Sequence, residues 1–466
     1  MLGSPLPIPL WDRPGGPTVD DPTRRGPGPL PSTADVVIVG AGFTGLWTAH
    51  HLRRQDPGCD IVVLEARRVG FGASGRNGGW CSALLPMALA GIAARHGRDA
   101  AIRSVTAMRE TVVDVGRTIE ELGIECGWAH DGTLTVARNA AQAARLRAGL
   151  DADRALGLDE GDRWIDAAPA AGIVGATGTI GATFTPHCAA IDPGRLVRGL
   201  ARSCVDGGVR IFEGHTVTRI EPGSVDVADP LGGRHTIHAG TVVRATEAYT
   251  ARIPGLRRRI APVYSLMIAT ERVPADVLDA IPWTGRPTFS DGRRMIVYAQ
   301  RTEDDRIAFG GRGAPYHFGS SIADAFDHHL ATHRLLVASL HELFPPLRDV
   351  RIAHRWGGPL GVPRDWICSV GHDRTRRLAW AGGYVGDGVG TSYLSGRMLA
   401  SSITGIDDPV LTLPWFGHHS PDWEPEPVRW AAIRAAGRLT RWIDAVEHRG
   451  GRAPRSSALL DRLTGH

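Results

Sequence analysis

The sequence predicts an α/β fold in which a Rossmann-type domain is joined to an α+β domain with an antiparallel sheet. Three observations predict it. A glycine motif joins a buried strand to a helix near the N-terminus, and a second glycine loop opens a helix near the C-terminus. Strand-like segments between them have the shorter, alternating pattern of antiparallel strands. We therefore expect two domains that share one chain.

The first motif lies in "ADVVIVGAGFTGLWTAHHLRR". Residues 36–39 are an unbroken apolar run, typical of a strand that is buried on both faces. Gly40, Gly42 and Gly45 then form G-x-G-x-x-G, and residues 46–54 continue as a helix before Pro57 and Gly58. The glycines let the backbone approach a pyrophosphate, whose charge lies at the positive end of the helix.

A second apolar strand at residues 61–64 ends in Glu65, twenty positions after the third glycine. A carboxylate at this position accepts hydrogen bonds from a ribose 2′-hydroxyl and repels a 2′-phosphate. The combined pattern predicts dinucleotide binding and disfavours NADP. It leaves NAD and FAD open.

Composition excludes several classes of function. The chain of 466 residues is long enough for two or three domains, and its net charge of +4 gives no support to a nucleic-acid partner. It contains no lysine, so all 53 basic residues other than histidine are arginine. Such a chain cannot form a Schiff base with pyridoxal phosphate, use a lysine nucleophile or build a P-loop.

The cysteines and the hydropathy predict a cytoplasmic protein. Six cysteines are scattered without C-x-x-C pairs, which argues against a metal site or a disulfide framework and suits a reducing compartment. No apolar stretch is long enough for a membrane span, so we expect no integral membrane association. Residues 1–33 form a Pro/Gly-rich arm, predicted to be extended over the surface or partly disordered.

The middle of the chain alternates between segments with helical patterns and segments with strand-like patterns. Residues 88–150 are mostly helical, interrupted by a strand pair around the turn at Asp131 and Gly132. A helix that begins at residue 193 precedes the strand pair "RIFEGHTVTRIE", and further strands end near Thr246. The segments "APVYSLMIATERV", "RMIVYAQ" and "DRIAFGGRG" predict antiparallel strands, followed by a helix over 321–343.

The second glycine loop lies in "LAWAGGYVGDGVGTSYLSGRMLASSITG". An apolar strand runs into Gly382, a glycine loop spans 386–390, and a helix of small residues is predicted from near Thr391 to Gly405. A glycine loop that opens a helix marks an anion or dipole site, although close packing of helix and strand would also need small residues.

Several blocks together resemble the D-amino-acid oxidase and glycine oxidase superfamily of FAD enzymes. They are "VVIVGAGFTGLWTAHHL", "AIDPGRLVRGLA", "TVVRATEAY" and "RWGG…AWAGGYVGDGVGTSYLSGRMLA". Within it, "FGASGRNGGW", "PVYSLMIATE" and "LPWFGHHSPDWEPEPVRW" resemble the gamma-glutamylputrescine oxidoreductase-like branch most closely. The resemblance implies a glutathione-reductase-like FAD-binding domain and a separate substrate domain. It also implies FAD bound without a covalent bond, since Cys368 comes too late after the tryptophan-glycine strand.

The resemblance also implies the residues that hold FAD. Glu65 would bind the adenosine ribose, Val217 would pair with adenine through its backbone, and Thr246 would lie near the pyrophosphate, although "RATEAY" departs from the family's "ATGAW". The helix that follows the second glycine loop would stabilise negative charge on the reduced flavin. The complete set is Gly40, Gly42, Phe43, Thr44, Gly45, Glu65, Ala66, Arg67, Gly72, Ala73, Ser74, Gly75, Arg76, Asn77, Gly78, Val217, Thr246, Gly386, Asp387, Gly388, Val389, Gly390 and Thr391.

The implied reaction is oxidation of a C–N bond in an amine or amino acid by hydride transfer to the flavin, giving an imine that hydrolyses. Trp356, Tyr264, Tyr298 and Tyr384 are candidates for aromatic walls that desolvate the amine, or for ordinary core aromatics. Asp387 could recruit a cationic group or cap its helix, and His187 could be a base or a structural histidine. A non-catalytic flavoprotein subunit and a flavin monooxygenase remain alternatives.

The absent lysine bears on the electron acceptor. Relatives of the sarcosine oxidase type use a lysine near the flavin to assist oxygen reduction, and this chain has none. Arg76, Arg312 or protonated His187 would replace it, or electrons would pass to a quinone instead of O2. The lysine argument favours slow oxygen use, whereas the resemblance favours hydrogen peroxide production.

The predicted boundaries follow from these assignments. Residues 34–90, 185–260 and 350–410 form the FAD-binding domain, and residues 91–184 and 261–349 form the substrate domain. Residues 411–466 are a C-terminal extension with an amphipathic helix after Pro427, which we expect to dock on the body of the protein rather than on a membrane surface.

Overall fold

The computed structural model describes residues 7–12, 28–85, 89–311, 313, 315–450, 454 and 457. The α-helices of these residues are α1 (Phe43–Gln55), α2 (Leu89–His96), α3 (Arg98–Glu121), α4 (Ala140–Ala155), α5 (Ala167–Ile173), α6 (Pro193–Asp206), α7 (Ala275–Asp279), α8 (Leu330–Leu343), α9 (Gly388–Thr404) and α10 (Val428–Gly450). The strands are β1 (Thr33–Val39), β2 (Ile61–Leu64), β3 (Trp80–Ser82), β4 (Thr133–Ala137), β5 (Arg163–Asp166), β6 (Gly181–Thr185), β7 (Cys188–Ala190), β8 (Arg210–Phe212), β9 (Thr216–Glu221), β10 (Ser224–Ala228), β11 (Arg234–Arg244), β12 (Ala261–Thr270), β13 (Thr288–Asp291), β14 (Val297–Arg301), β15 (Ile307–Gly311), β16 (Ile352–Val362), β17 (Ser369–Asp373) and β18 (Leu378–Gly382).

The first sheet has the strand order β17-β18-β11-β1-β2-β8, and β9 and β10 extend it beside β11. Strands β18, β11, β1, β2 and β8 are mutually parallel, so their carboxyl ends meet at one edge. The four apolar residues at the end of β1 are buried, as the unbroken run in the sequence predicts for a central parallel strand. The predicted Rossmann-type fold is confirmed.

The second sheet has the order β16-β12-β15-β14-β13-β4-β6-β5 and is antiparallel except where β13 pairs with β4. Strand β16 pairs along its length with β12. Residues 352–362, which the predicted boundaries include in the FAD-binding domain, therefore form a strand of the antiparallel sheet. The sequence of this segment does not by itself determine which sheet the strand joins, and its pairing with β12 does.

Two predicted strand pairs do not form. Ala129 bridges Ala190, and β4 pairs with β6 and β13, so the turn at Gly132 closes no hairpin. Likewise β8 pairs with β2, whereas β9 pairs with β10. The two strands of "RIFEGHTVTRIE" therefore do not pair with each other. In both cases the observed partner is a strand that is distant in the chain.

Two helices begin elsewhere than predicted. Helix α8 begins at Leu330 rather than at 321, because the His329 side chain caps it and residues Asp324–His328 form a separate 3-10 turn. Helix α9 begins at Gly388 rather than near Thr391, and it ends as predicted with Gly405 in the left-handed conformation. Gly388 to Gly390 thus belong to the first turn of the helix.

Described residues near both ends of the chain, 7–12 and the helix α10, pack against the body. Leu10 and Trp11 are buried, so residues 7–12 of the predicted arm pack into the body, whereas residues 1–6 and 13–27 of that arm lie outside the described residues. On α10, Ile443 is buried and the Asp444 carboxylate accepts hydrogen bonds from the backbone N–H groups of Arg294 and Met295. The expected docking of the C-terminal helix is therefore observed.

Among the described residues, no helix combines the length and the apolar character needed to cross a membrane.

Candidate active site

The turn between β1 and α1 is built for close backbone packing. Gly40 has φ of 110°, and a Cβ there would lie 2.5 Å from the Ala245 carbonyl oxygen at the end of β11. Gly42 occupies the N-cap of α1 and has no side chain that could cap the helix. The Phe43 N–H donates to Ser74 Oγ at 2.8 Å, which ties this turn to residues 72–78.

Glu65 follows β2 at the same edge of the sheet. Its carboxylate accepts from the Ala41 N–H at 3.0 Å and from the Arg67 N–H at 2.9 Å. Burial raises the pKa of Glu65, and those two hydrogen bonds oppose the rise. The His215 N–H donates to the Glu65 carbonyl, which brings the start of β9, and Val217 with it, beside Glu65.

Residues 72–78, here called the Arg76 loop, contain the 3-10 turn Ala73–Gly75. The Asn77 side chain organises this loop: its Nδ2 donates to the carbonyls of Ala73 and Ser74, and its Oδ1 accepts from the Gly79 N–H at 2.8 Å. Gly78 faces the Tyr298 ring so closely that a Cβ would lie 2.6 Å from Cε2. The loop thus lies between the α1 turn and the antiparallel sheet.

The second glycine loop also lies at the carboxyl edge of the parallel sheet. Asp387 occupies the N-cap position of α9, but its side chain does not cap the helix. The Thr391 hydroxyl donates to the Asp387 carbonyl at 2.6 Å, and Gly390 lies against the Ser82 carbonyl. Val389, Gly390 and Thr391 are buried, whereas Gly386 is exposed. The α9 N-terminus therefore resembles that of α1 in having no side-chain cap.

Thr246 and Glu247 follow β11 between these two helix ends. The Thr246 hydroxyl pairs with that of Thr250 at 2.8 Å, and Thr246 lies beside Gly40. Glu247 is in the left-handed conformation, with φ of 43°, and it accepts hydrogen bonds from the Gly383 N–H at 3.2 Å and the Tyr384 N–H at 3.4 Å. Although the residue is partly exposed, burial of its inward-facing carboxyl raises the pKa of Glu247 to about 7. The departure of "RATEAY" from the family pattern was the only sequence signal for Glu247.

Tyr298 and Trp356 lie on one face of the antiparallel sheet, together with Met267 of β12. We call this surface the aromatic face. The Trp80 indole contacts Tyr298 edge-on at 6.0 Å between ring centroids, and its buried Nε1 has no hydrogen-bond partner among the described residues. Trp80 was absent from the predicted set, although it directly follows the "GRNGG" motif.

Two predicted aromatic residues lie elsewhere. Tyr264 alternates with Met267 along β12 and packs in the core on the opposite face, where its ring contacts His317 and Phe326. Tyr384 is buried in the core of the parallel-sheet half, and its hydroxyl pairs with Thr44 at 3.0 Å. Side-chain alternation in strands separates Tyr264 from Tyr298, and the β18 loop turns Tyr384 toward α1.

Arg76 and Asp327 form an ion pair beside the aromatic face. Arg76 also donates to the Gly357 carbonyl at 3.1 Å, and its guanidinium lies 4.2 Å from the centre of the Phe71 ring. Burial raises the pKa of Asp327 to about 6, although the Arg76 charge lowers it. Asp327 was not predicted, because no local pattern marks the 3-10 turn that carries it.

His187 is not brought into this group. His187 lies in the turn before β7, where its Nε2 pairs with the Glu160 carbonyl at 3.0 Å, and burial lowers its pKa. These contacts fit a structural histidine. Arg312 lies outside the described residues.

The residues fit a bound dinucleotide. Two helix N-termini without side-chain caps supply backbone N–H groups for a diphosphate, Glu65 supplies an acceptor for a ribose, and the Trp80 indole supplies an unpaired buried donor. The Arg76 loop would lie against the flavin half, between the α1 turn and the aromatic face. The donor set is thus that expected for FAD.

Comparison with known proteins also indicates an FAD enzyme. The DAO family model, described as FAD dependent oxidoreductase, matches residues 35–402. The chain belongs to this family. The flavoenzyme is 31% identical to gamma-glutamylputrescine oxidoreductase of Escherichia coli over 376 residues, which cover 80% of this chain and 84% of that protein. It is 30% identical to the probable oxidoreductase OrdL of Haemophilus influenzae, over 80% and 84% of the two chains.

Solved structures confirm the fold of the flavoenzyme. Glycine oxidase from Geobacillus kaustophilus superposes with a TM-score of 0.68 at 20% identity, covering 81% of this chain and 96% of that one. L-proline dehydrogenase from P. horikoshii superposes with a TM-score of 0.66 at 20% identity, over 83% and 96% of the chains. One is named an oxidase and the other a dehydrogenase, so the fold does not decide the electron acceptor.

The cysteines of the flavoenzyme are free thiols. All six are buried and free, namely Cys59, Cys81, Cys126, Cys188, Cys204 and Cys368. Burial raises the pKa of Cys81 well above its ordinary value and that of Cys368 to about 12. Neither thiol is activated for attachment to a flavin.

Proposed function

We propose that the flavoenzyme oxidises the C–N bond of an amine or amino acid, giving an imine that hydrolyses to an aldehyde or keto acid. The observation that carries the proposal is the position of Tyr298, Trp356 and Trp80 directly against the Arg76 loop. Several relatives are named for amine substrates, among them the gamma-glutamylputrescine oxidoreductase. FAD, when bound, supplies the hydride acceptor for such a reaction.

The aromatic face suits a substrate that must lose its proton. An alkylamine with a pKa of about 10.4 arrives protonated, and its nitrogen must be neutral before a hydride leaves the adjacent carbon. Aromatic walls exclude water and lower the amine pKa. The carboxylate of Asp327 neutralises Arg76, so the face does not present an unpaired cation that would repel the incoming amine.

The same ion pair bears on the acceptor. Of the two arginines that could replace the missing lysine, Arg76 is the one that the structure describes, and Asp327 offsets its charge. A compensated cation stabilises a superoxide-like state poorly. We therefore propose that the enzyme reduces O2 slowly and passes electrons to a quinone or another carrier. The six unpaired thiols are consistent with a cytoplasmic location.

Anaerobic reduction tests this function. The purified holoenzyme is mixed without oxygen with a panel of alkylamines, N-methyl amino acids and D-amino acids, and the flavin absorbance is followed. At least one class should bleach the flavin, and quaternary ammonium analogues, which have no nitrogen lone pair, should not. Bleaching by NADPH alone would indicate a monooxygenase instead. A flavin that no amine and no nicotinamide reduces would indicate a non-catalytic subunit.

The role of the aromatic face can be tested separately. Trp80→Leu removes the indole that contacts Tyr298, whereas Trp442→Leu removes a half-exposed indole on α10 and serves as the matched control. The first change should lower the rate of flavin bleaching by the best amine at equal flavin content. Equal bleaching rates in both variants would exclude the proposed placement of the substrate.

A further inference from the structure

Two tryptophans that are far apart in the chain hold consecutive peptides of the Arg76 loop. Trp356 Nε1 donates to the Arg76 carbonyl at 2.8 Å, and Trp11 Nε1 donates to the Asn77 carbonyl, also at 2.8 Å. The two indoles meet edge-on, with 6.3 Å between ring centroids and 81° between planes. Trp356 belongs to the antiparallel sheet, but Trp11 lies before the first strand and before residue 35, where the family match begins.

Residues 7–12, here called the strap, are anchored at both ends. The Trp11 carbonyl accepts from both terminal nitrogens of Arg198 on α6 at 3.3 Å, and Asp12 pairs with Arg68. At the other end, the Ile8 carbonyl pairs with His354 Nδ1 of β16 at 3.3 Å. Trp11 is only 2% exposed and Leu10 only 1%, as in a protein core. The strap thus joins α6, β16 and the Arg76 loop.

The Trp11 hydrogen bond determines the direction of one backbone donor. The peptide between Asn77 and Gly78 is trans, so its carbonyl and its N–H point to opposite sides. With the Asn77 carbonyl held by Trp11, the Gly78 N–H is directed away from the strap. The Asn77 side chain fixes the same residue through Ala73, Ser74 and Gly79, so the peptide has little freedom to rotate while Trp11 is in place.

We propose that Trp11 is a positioning residue of the active site: the strap orients the Asn77–Gly78 peptide toward the flavin and holds the Arg76 loop against the aromatic face. The inference rests on the proposed function, because it takes the Arg76 loop as the flavin loop. The strap is then a part of the catalytic unit that lies outside the segment shared with the family model. Loss of the indole N–H would leave a buried carbonyl without a donor and free the peptide to rotate.

The test compares Trp11→Phe with Trp442→Phe, a change of the same kind at the half-exposed tryptophan of α10. Flavin content, visible circular dichroism, flavin reduction potential, kcat and KM are measured on the holoenzymes. Trp11→Phe should keep its flavin but change the visible dichroism and lower kcat by about fivefold, the effect of one neutral hydrogen bond, with a smaller change in KM. Trp442→Phe should match the parent in every measurement.

A Trp11→Phe enzyme with the parent's dichroism, potential and kcat would overturn the proposal. If that variant does not fold, Arg198→Gln provides the test, because it removes the hydrogen bonds that hold the Trp11 carbonyl on α6. A visible dichroism that differs from the parent's supports the proposal, and an unchanged spectrum overturns it. A parent enzyme that contains no flavin would instead refute the proposed function.

Discussion

Arg76 and Asp327, which lie 251 positions apart in the chain, form an ion pair whose side chains are only 10% and 12% exposed. Arg76 belongs to the flavin loop as we assign it, and Asp327 to the 3-10 turn before α8. Burial raises the pKa of Asp327 to about 6. The pair is therefore neutral overall above pH 6, and below pH 6 a protonated Asp327 leaves the Arg76 charge uncompensated.

This pair predicts how the enzyme responds to oxygen. Asp327→Asn should speed reoxidation of the reduced flavin by O2 on the order of tenfold above pH 6, because an uncompensated Arg76 stabilises the superoxide-like state. Because burial raises the pKa of Asp327 above its ordinary value, the neutral amide should not lower the free energy of unfolding at neutral pH. Stopped-flow mixing of the reduced enzyme with aerated buffer measures the first effect, and urea unfolding the second.

Asp324→Asn is the matched control, because Asp324 lies in the same turn but pairs with Arg67 at the exposed surface. It should leave both quantities unchanged. If Asp327→Asn does not accelerate reoxidation, the Arg76 charge does not limit oxygen use.

Glu247→Gln should change how stability depends on pH. The folded-state pKa of Glu247, about 7, lies above the ordinary 4.5, so this group stabilises the fold below about pH 4.5, and the contribution is lost as the pH rises through 7. The amide does not titrate and retains an oxygen that accepts from Gly383. Relative to the parent, Glu247→Gln should gain about 2 kcal/mol of unfolding free energy between pH 5 and pH 8. Urea unfolding at several pH values measures it, and a difference independent of pH would contradict the assignment.

Glu65→Ala should weaken FAD binding by about 1.5 to 3 kcal/mol, because the ribose loses charge-assisted hydrogen bonds. The same carboxylate holds the Ala41 N–H, so the variant also loosens the glycine turn. Glu65→Gln separates the two effects, since it keeps an oxygen for Ala41 but loses the charge. Fluorescence titration of the apoprotein gives the affinities. Retention of parental affinity in Glu65→Ala would show that the ribose lies elsewhere.

The C-terminal helix should stabilise the body of the protein. Glu447 is fully buried and pairs with Arg145 at 3.1 Å and Arg294 at 3.4 Å. Glu447→Ala should therefore lower the free energy of unfolding by about 3 to 5 kcal/mol, whereas Arg438→Ala on the exposed side of α10 should change it little. Urea unfolding measures both. A chain truncated after residue 425 that stays equally stable but loses liposome binding would favour a membrane surface instead.

The sequence by itself determined the elements whose signal is local. The run at 36–39, the three glycines and Glu65 are spaced by the geometry of one strand-turn-helix-strand unit, so their pattern could be read without any partner. The same holds for α9, whose C-terminal Gly405 was predicted even though its first turn begins three residues early. Absence of lysine likewise needs no structure to limit the chemistry.

Tertiary structure alone decided which distant residues meet. Strand β16 pairs with β12, because the burial of side chains across the whole sheet determines which strands pair. This pairing places Trp356 on the same face as Tyr298, whereas Tyr264 lies on the opposite face. Asp327 reached Arg76 and Trp11 reached Asn77 across gaps of 251 and 66 residues. Contacts of this kind depend on how packed layers stack, and periodicity along the chain carries no information about that stacking.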